Sequence, residues 1–174
     1  RGPRQRVSQP ELRLTLPVIE LEHIRLRPWR VTDAAALAAA WVDPEIVARS
    51  SVPVDSSRAA AERWIDGAEQ RCQRGLSVDL AIVGSADDEV IGEVGLSSID
   101  QRRRAALIGW WVAAAERGHG AASAAVAGFT GWALTDAGFA AIVAEITDDN
   151  GASLQVAKNC AFIPLGPGSW VRTA

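Results

Sequence analysis

One stretch constrains this chain more than any other: residues 107–123, which read L-I-G-W-W-V-A-A-A-E-R-G-H-G-A-A-S. Residues 107–112 form an apolar run rich in Trp and branched side chains, too short for a helix, and so predict a strand. The chain leaves that strand through Arg117-Gly118-His119-Gly120 and enters an Ala-rich segment that predicts a helix. A strand, a glycine turn and a helix N-terminus make an anion site. The first turn of a helix carries N–H groups without intrahelical acceptors, the macrodipole adds partial positive charge there, and glycines let a phosphate approach the backbone closely.

The rest of the chain patterns as mixed α/β. Residues 1–10 are polar with Gly and Pro, and Leu12, Leu14 and Leu16 alternate with polar residues, so residues 1–19 are expected as a flexible tail or a short edge strand, and residues 20–174 as a single domain. Ile24 and Leu26 alternate with Arg25 and Arg27, which predicts a first strand with one buried face. Thr32 is expected to cap an Ala-rich helix bearing Leu37 and Trp41, and Asp43-Pro44 to close it and open a second. Asp55-Ser56-Ser57 then caps a longer helix, with Ala61, Trp64, Ile65, Ala68 and Cys72 on its apolar side, ending at Gly75. Residues 77–83 and 90–99 read as a hairpin, the second strand containing Gly92, Glu93 and Gly95.

After the glycine turn, Ala122, Val126, Phe129 and Ala133 lie along one helix face, and residues 139–146, apolar almost throughout, read as a central strand covered on both faces. The strand, helix and strand of residues 108–146 therefore predict a crossover with parallel pairing. Residues 151–159 predict the last helix and 161–165 the last clear strand, after which Gly166-Pro167-Gly168 breaks the chain and residues 169–174 leave room for no more than a shortened strand.

Length and charge narrow the class. At 174 residues and 48% hydrophobic content the chain is long enough for one domain with a full core. A net charge of -3 argues against nucleic acid and against an anionic membrane surface. No apolar stretch reaches the roughly 20 residues of a membrane span, and the arginine-rich start lacks the apolar core of a signal peptide, so a cytoplasmic protein is expected. The two cysteines, Cys72 and Cys160, lack metal-ligand spacing, so neither a disulfide nor a metal site is expected.

Two blocks carry a family resemblance. Arg117, Gly120 and Ala122 fit the R/Q-x-x-G-x-G/A acyl-CoA pyrophosphate loop of the GNAT acetyltransferases, and residues 108–112 look like the strand that precedes it there. Asp149-Asn150-Gly151-Ala152-Ser153, followed by Val156, Lys158 and Phe162, resembles the signature of the RimJ/RimL-like branch, as does the L-R-P-W of residues 26–29. The resemblance implies a mixed, splayed, mostly antiparallel sheet of about six or seven strands flanked by helices. It also implies acetyl-CoA as cosubstrate, entering between the fourth and fifth strands, and no metal. The acceptor would be a primary amine, on a protein N-terminus or a small molecule, attacking the thioester directly, in a monomer or homodimer.

Carried over by position, the backbone amides of Gly118, His119, Gly120, Ala121 and Ala122 would cradle the pyrophosphate, with the Arg117 side chain adding charge-assisted contacts. Trp111 and Val112 would offer backbone groups to the pantetheine arm and the thioester oxygen, and Asn150 would position that arm. Many relatives have a Glu two residues before the glycine of this strand, where Leu107 stands here. Glu93 is then the substitute base, with a water chain ending on a backbone carbonyl as the alternative. Many also use a Tyr as the acid, and this chain contains none. Ser153 takes that part, or else the Cys160 thiol or water. Two rival classes stand beside this one: an NAD-dependent enzyme, for which Gly118-x-Gly120-x-x-Ser123 is a degraded fingerprint, and a non-catalytic module that kept the loop and lost its base.

Overall fold

Alternating burial sets the layers. In the computed structural model, which describes residues 11–174, strands β1 (Ile19–Glu20), β2 (Ile24–Pro28), β3 (Val78–Gly84), β4 (Val90–Asp100), β5 (Ala105–Val112), β6 (Ala141–Glu145), β7 (Ile163–Gly166) and β8 (Ser169–Thr173) form one sheet in the order β1-β2-β3-β4-β5-β6-β8-β7. All neighbours are antiparallel except β5 and β6, which pair in parallel, as the crossover predicts. One face carries Leu26, Leu80, Ile82, Val94, Leu96, Ile108 and Ile142 against α5 (Ala121–Thr135) and α6 (Gly151–Asn159), where Val126, Phe129 and Ala157 are fully buried. The other carries Ala81, Val83 and the half-buried Trp111 against α1 (Ala34–Ala40) and α3 (Arg58–Asp66), through Trp29, Leu37, Trp41, Ala61 and Ile65. Trp110 and Trp111 divide between these cores because adjacent strand residues point to opposite faces.

The structure departs from the sequence expectations at several points, each with a local cause. Residues 1–10 of the expected tail lie outside the described residues. Residues 11–18 form no strand, yet Leu12, Leu14 and Leu16 pack on the main core and the Arg13 N–H donates to the Ala137 carbonyl at 2.9 Å. Thr32 caps nothing: it lies inside a 3-10 turn, Val31–Asp33, whose Asp33 carboxylate is taken by Arg27 and by the Arg30 N–H. The single helix expected after Ser57 is two, α3 and α4 (Ala68–Gln73), broken at Gly67. β6 buries Ile142 and Ala144 but leaves Ala141 and Val143 half-covered, so it is enclosed more on one face than on both.

The closing strand is present. β8 inserts between β6 and β7 and pairs with β6 at five positions, from Ala141↔Thr173 to Glu145↔Ser169. Gly166-Pro167-Gly168, read as a break, is the turn of the β7–β8 hairpin, with Gly168 in the left-handed region at φ 67. With β1 and β8 the sheet has eight strands, against an expectation of six or seven.

Candidate active site

The sheet opens where β5 and β6 part. Their parallel register covers only Ala105↔Ala141, Ala106↔Ile142 and Leu107↔Val143, after which β6 continues against β8 alone. From Ile108 to Val112, β5 is held by β4 on one side and has no strand on the other. Its backbone groups on that edge have no ladder partner, the arrangement a peptide-like chain can use by adding its own hydrogen bonds.

At the end of β5 a 3-10 turn, Ala114–Glu116, comes before the glycine loop, where the sequence predicts none. Gly118 and Gly120 both have left-handed backbones, at φ 82 and φ 84. A Cβ placed on either would meet no atom within 4 Å, so the loop borders open space. Gly120 is the N-cap of α5 and brings no side chain to the cap, which leaves the first-turn amides of Ala121, Ala122 and Ser123 for an external acceptor. His119 is exposed.

Arg117 is engaged differently from the expectation. Its Nε donates to the Val112 carbonyl at 2.9 Å, and its two terminal nitrogens pair with Asp43, at 3.2 Å, and Glu45. Both acids open α2 (Pro44–Arg49), where Asp43 also caps the helix through the Glu45 and Ile46 N–H groups. At the other end of α2, Arg49 lies 3.5 Å from Asp149, beside Asn150. This short helix therefore connects the glycine loop to the start of α6. Asp43-Pro44 is expected from the sequence only as a helix boundary, and no local pattern there signals an ionic partner in the glycine loop.

Asn150 and Ser153 come together at the start of α6. Asn150 is the N-cap, and its Oδ1 accepts the Ser153 N–H at 3.1 Å. The cap uses the oxygen, while the NH2 end of the same amide is the part able to donate to a peptide-like group. Cys160, at the far end of α6, is buried, and its Sγ donates to the Ser123 carbonyl at 3.3 Å. Burial raises its thiol pKa, so it is a poor proton donor for the cleft as well as a remote one.

Glu93 stands directly opposite Trp111 across the β4–β5 ladder, in the half of β5 that has left β6, and opposite Ala81 on its other side. Its side chain points to the tryptophan-rich face, where Trp29 lies 6.4 Å from Trp111 and 6.2 Å from Trp64 between ring centroids. Glu93 Oε2 and Trp29 Nε1 are both buried without a hydrogen-bond partner. Burial first, and then the nearby Asp79 carboxylate, push the Glu93 carboxyl up to about 8, against the opposing pull of the Trp111 and Trp29 indoles and Arg71. Leu107, where the resemblance expected a carboxylate, is half-buried on the neighbouring strand, and Glu93 is the titratable group that faces this part of β5.

A splayed sheet with a glycine-capped helix at the mouth of its parallel pair is the architecture of acyl-CoA N-acyltransferases. The model of the Acetyltransferase (GNAT) domain family matches residues 23–163. The chain belongs to that family and is an acyl-CoA-dependent acetyltransferase. An uncharacterized N-acetyltransferase, p20 of Bacillus licheniformis, is 27% identical over 141 residues, 81% of this chain and 79% of that protein. Mycobacterium smegmatis RimJ in complex with CoA-disulfide is similar in structure at a TM-score of 0.77 and 22% identity, over 95% of this chain and 86% of that one. RimL, a ribosomal L7/L12 alpha-N-protein acetyltransferase in complex with coenzyme A, gives 0.76 at 20% identity, over 90% and 98%. At these identities the two structures share this chain's fold. The family match does not favour the dinucleotide-binding reading. Among the described residues no group of three or more His, Cys, Asp or Glu could hold a metal ion, and no helix is long and apolar enough to cross a membrane.

Proposed function

We propose that this chain transfers an acetyl group from acetyl-CoA to a primary amine, on a protein N-terminus or a small molecule, by direct attack. The observation that carries this reading is Glu93, half-buried with its Oε2 buried and unpartnered, opposite Trp111 in the half of β5 that no longer pairs with β6. The residues fit the cosubstrate. Open space at Gly118 and Gly120 and the uncapped first turn of α5 suit a pyrophosphate, and the unpaired edge of residues 108–112 suits a pantetheine arm.

When bound, acetyl-CoA supplies a thioester whose carbonyl carbon takes the amine and whose C–S bond then breaks. Glu93 accepts one proton from the acceptor ammonium, becoming the neutral acid, so that the amine's lone pair is available for the new C–N bond. The Val112 N–H, on the side of β5 turned away from β4, donates to the thioester oxygen, a kind of contact worth roughly 100-fold to 1000-fold in rate elsewhere, whereas the Trp111 backbone is turned toward β4 and is left to the ladder. The nitrogen's second proton passes to the departing thiolate through the Ser153 hydroxyl, which gives its own proton to sulfur and takes that one in its place, so the amide and the CoA thiol leave and Glu93 returns its proton to solvent.

The direct test is calorimetry with acetyl-CoA and with NAD in parallel. Binding of the first and not the second is expected, and tight NAD binding without acetyl-CoA binding overturns the reading. Two variants divide the start of α6. Asn150→Ser keeps a preferred cap and loses the amide, so the Michaelis constant for acetyl-CoA should rise up to about tenfold, one lost hydrogen bond, with the melting temperature little changed. Ser153→Ala should lower turnover by on the order of 100-fold while acetyl-CoA affinity stays near wild type. Full activity in Ser153→Ala, with Cys160→Ala inactive instead, moves the acid to the thiol.

A further inference from the structure

Glu93 does not sit alone on its face of the sheet. The β3–β4 register pairs Ala81 with Glu93 and Asp79 with Gly95, so Asp79 and Glu93 are diagonal neighbours on the same face. Gly95 makes room for this. A Cβ there would lie 2.9 Å from Asp79 Oδ1, so the Asp79 carboxylate occupies the space above Gly95, two residues along β4 from Glu93. The carboxylate is anchored from the other side. The Ser77 hydroxyl donates to Asp79 Oδ2 at 2.6 Å, and Arg71 Nη2 reaches the same oxygen at 3.4 Å. Arg71 is itself fixed by a bond from Nη1 to the Trp64 carbonyl at 2.8 Å and by lying 4.3 Å above the Trp64 ring.

We propose that Asp79 is a positioning residue for the transfer reaction: seated over Gly95, its carboxylate sets how readily Glu93 takes a proton. The inference rests on Glu93 being the base. Every charged or titratable neighbour of the pair has a definite sign. Against Glu93 face the Asp79 carboxylate from β3, the Arg71 guanidinium from α4, and the indole N–H groups of Trp29 and Trp111; against Asp79 face Ser77, Arg71 and the Cys72 thiol of α4. Burial raises both carboxyls, and Asp79 is the one neighbouring group that raises Glu93 further. Without Asp79, burial alone would oppose the pull of the indoles and Arg71, and a weaker base would result. With it, Glu93 holds a proton up to slightly alkaline pH, so its basicity comes close to that needed to draw a proton from an ammonium.

The test uses the full chain carrying 13C at the Glu carboxyl carbons, titrated by NMR, with Glu93→Gln identifying the Glu93 signal. Asp79→Asn, isosteric and still an acceptor for Ser77 and Arg71, should lower the Glu93 midpoint by on the order of one pH unit. Asp79→Ser, shorter and also an acceptor, should move it the same way. In parallel, CoA release is followed with a short peptide bearing a free α-amine as the probe acceptor. The acid limb of kcat/KM should move down with the NMR midpoint. Unshifted midpoints in both Asp79 variants, with Glu93→Gln inactive, overturn the role of Asp79 alone. Wild-type turnover in Glu93→Gln overturns the base assignment and the role of Asp79 in the reaction with it.

Discussion

Gly120→Glu is expected to abolish acetyl-CoA binding while leaving the protein folded. Gly120 has φ 84, so any side chain there strains the backbone by roughly 1–2 kcal/mol. That strain is bearable, because the added Cβ meets nothing within 4 Å and a carboxylate at a helix N-terminus interacts favourably with the macrodipole. The same carboxylate then occupies the first-turn amides of α5 and repels a pyrophosphate from them. Loss of two or more charge-assisted hydrogen bonds plus repulsion corresponds to at least about 4 kcal/mol, or roughly a thousandfold in Kd. Gly120→Ala, which adds the strain without the charge, should weaken binding far less. Calorimetry and a thermal melt together read the result. Undiminished binding in Gly120→Glu would place the pyrophosphate elsewhere.

The largest stability effect is expected at Arg27, far from the cleft chemistry. Arg27 is 3% exposed, and it grips Asp33, 9% exposed, through two bonds of 2.8 and 3.1 Å. Its Nε also reaches Asp88 at 3.0 Å, in the β3–β4 turn, where Arg25 and Arg30 join the same carboxylate. Arg27→Met fills the volume and leaves Asp33 buried with only the Arg30 N–H. Breaking one partner out of a buried pair costs about 3–5 kcal/mol, a large part of the 5–15 kcal/mol typical of a whole domain. The urea midpoint should fall accordingly at unchanged slope. Arg27→Lys keeps the charge but not the fork, and should lie between. A loss under about 1 kcal/mol in Arg27→Met would mean that the pair is no stronger than a surface one.

The same network gives a pH dependence with a definite sign. Asp88 is held well below the usual carboxylate range by its bonds from Arg27 and Arg25. A carboxyl depressed in the folded state contributes in full above its unfolded value of about 3.9, and that contribution is lost as the pH falls below it. Asp88→Asn removes that contribution, so stability should fall at neutral pH and decline less steeply as the pH drops below about 3.9, which urea midpoints measured across that range would read.

Much of the fold was legible because short-range rules apply to it. The Ile24/Leu26 alternation predicts a strand with both residues on one face, and both do lie on the main core. Residues 151–159 predict a helix, and α6 spans Gly151–Asn159, capped by Asn150. Where reading failed, a tertiary partner had taken over a local signal. Thr32 lost its cap because Arg27 draws Asp33 into a turn, and the closing strand was underestimated because residues 169–173 gain their ladder from β6, which precedes them by nearly 30 residues.

What the sequence by itself determined is the strand, the glycine turn and the helix start of residues 105–135, since peptide geometry and glycine's access to positive φ act between neighbours in the chain. What only the tertiary structure decided is who faces whom. The Arg117 guanidinium meets Asp43 and Glu45, more than 70 residues away, instead of being left to a ligand. Asp79 meets Glu93 because a particular register puts Gly95 beneath it. A shift of one residue in that register would turn one of the two carboxylates to the opposite face, and no local pattern within either strand records which register is chosen.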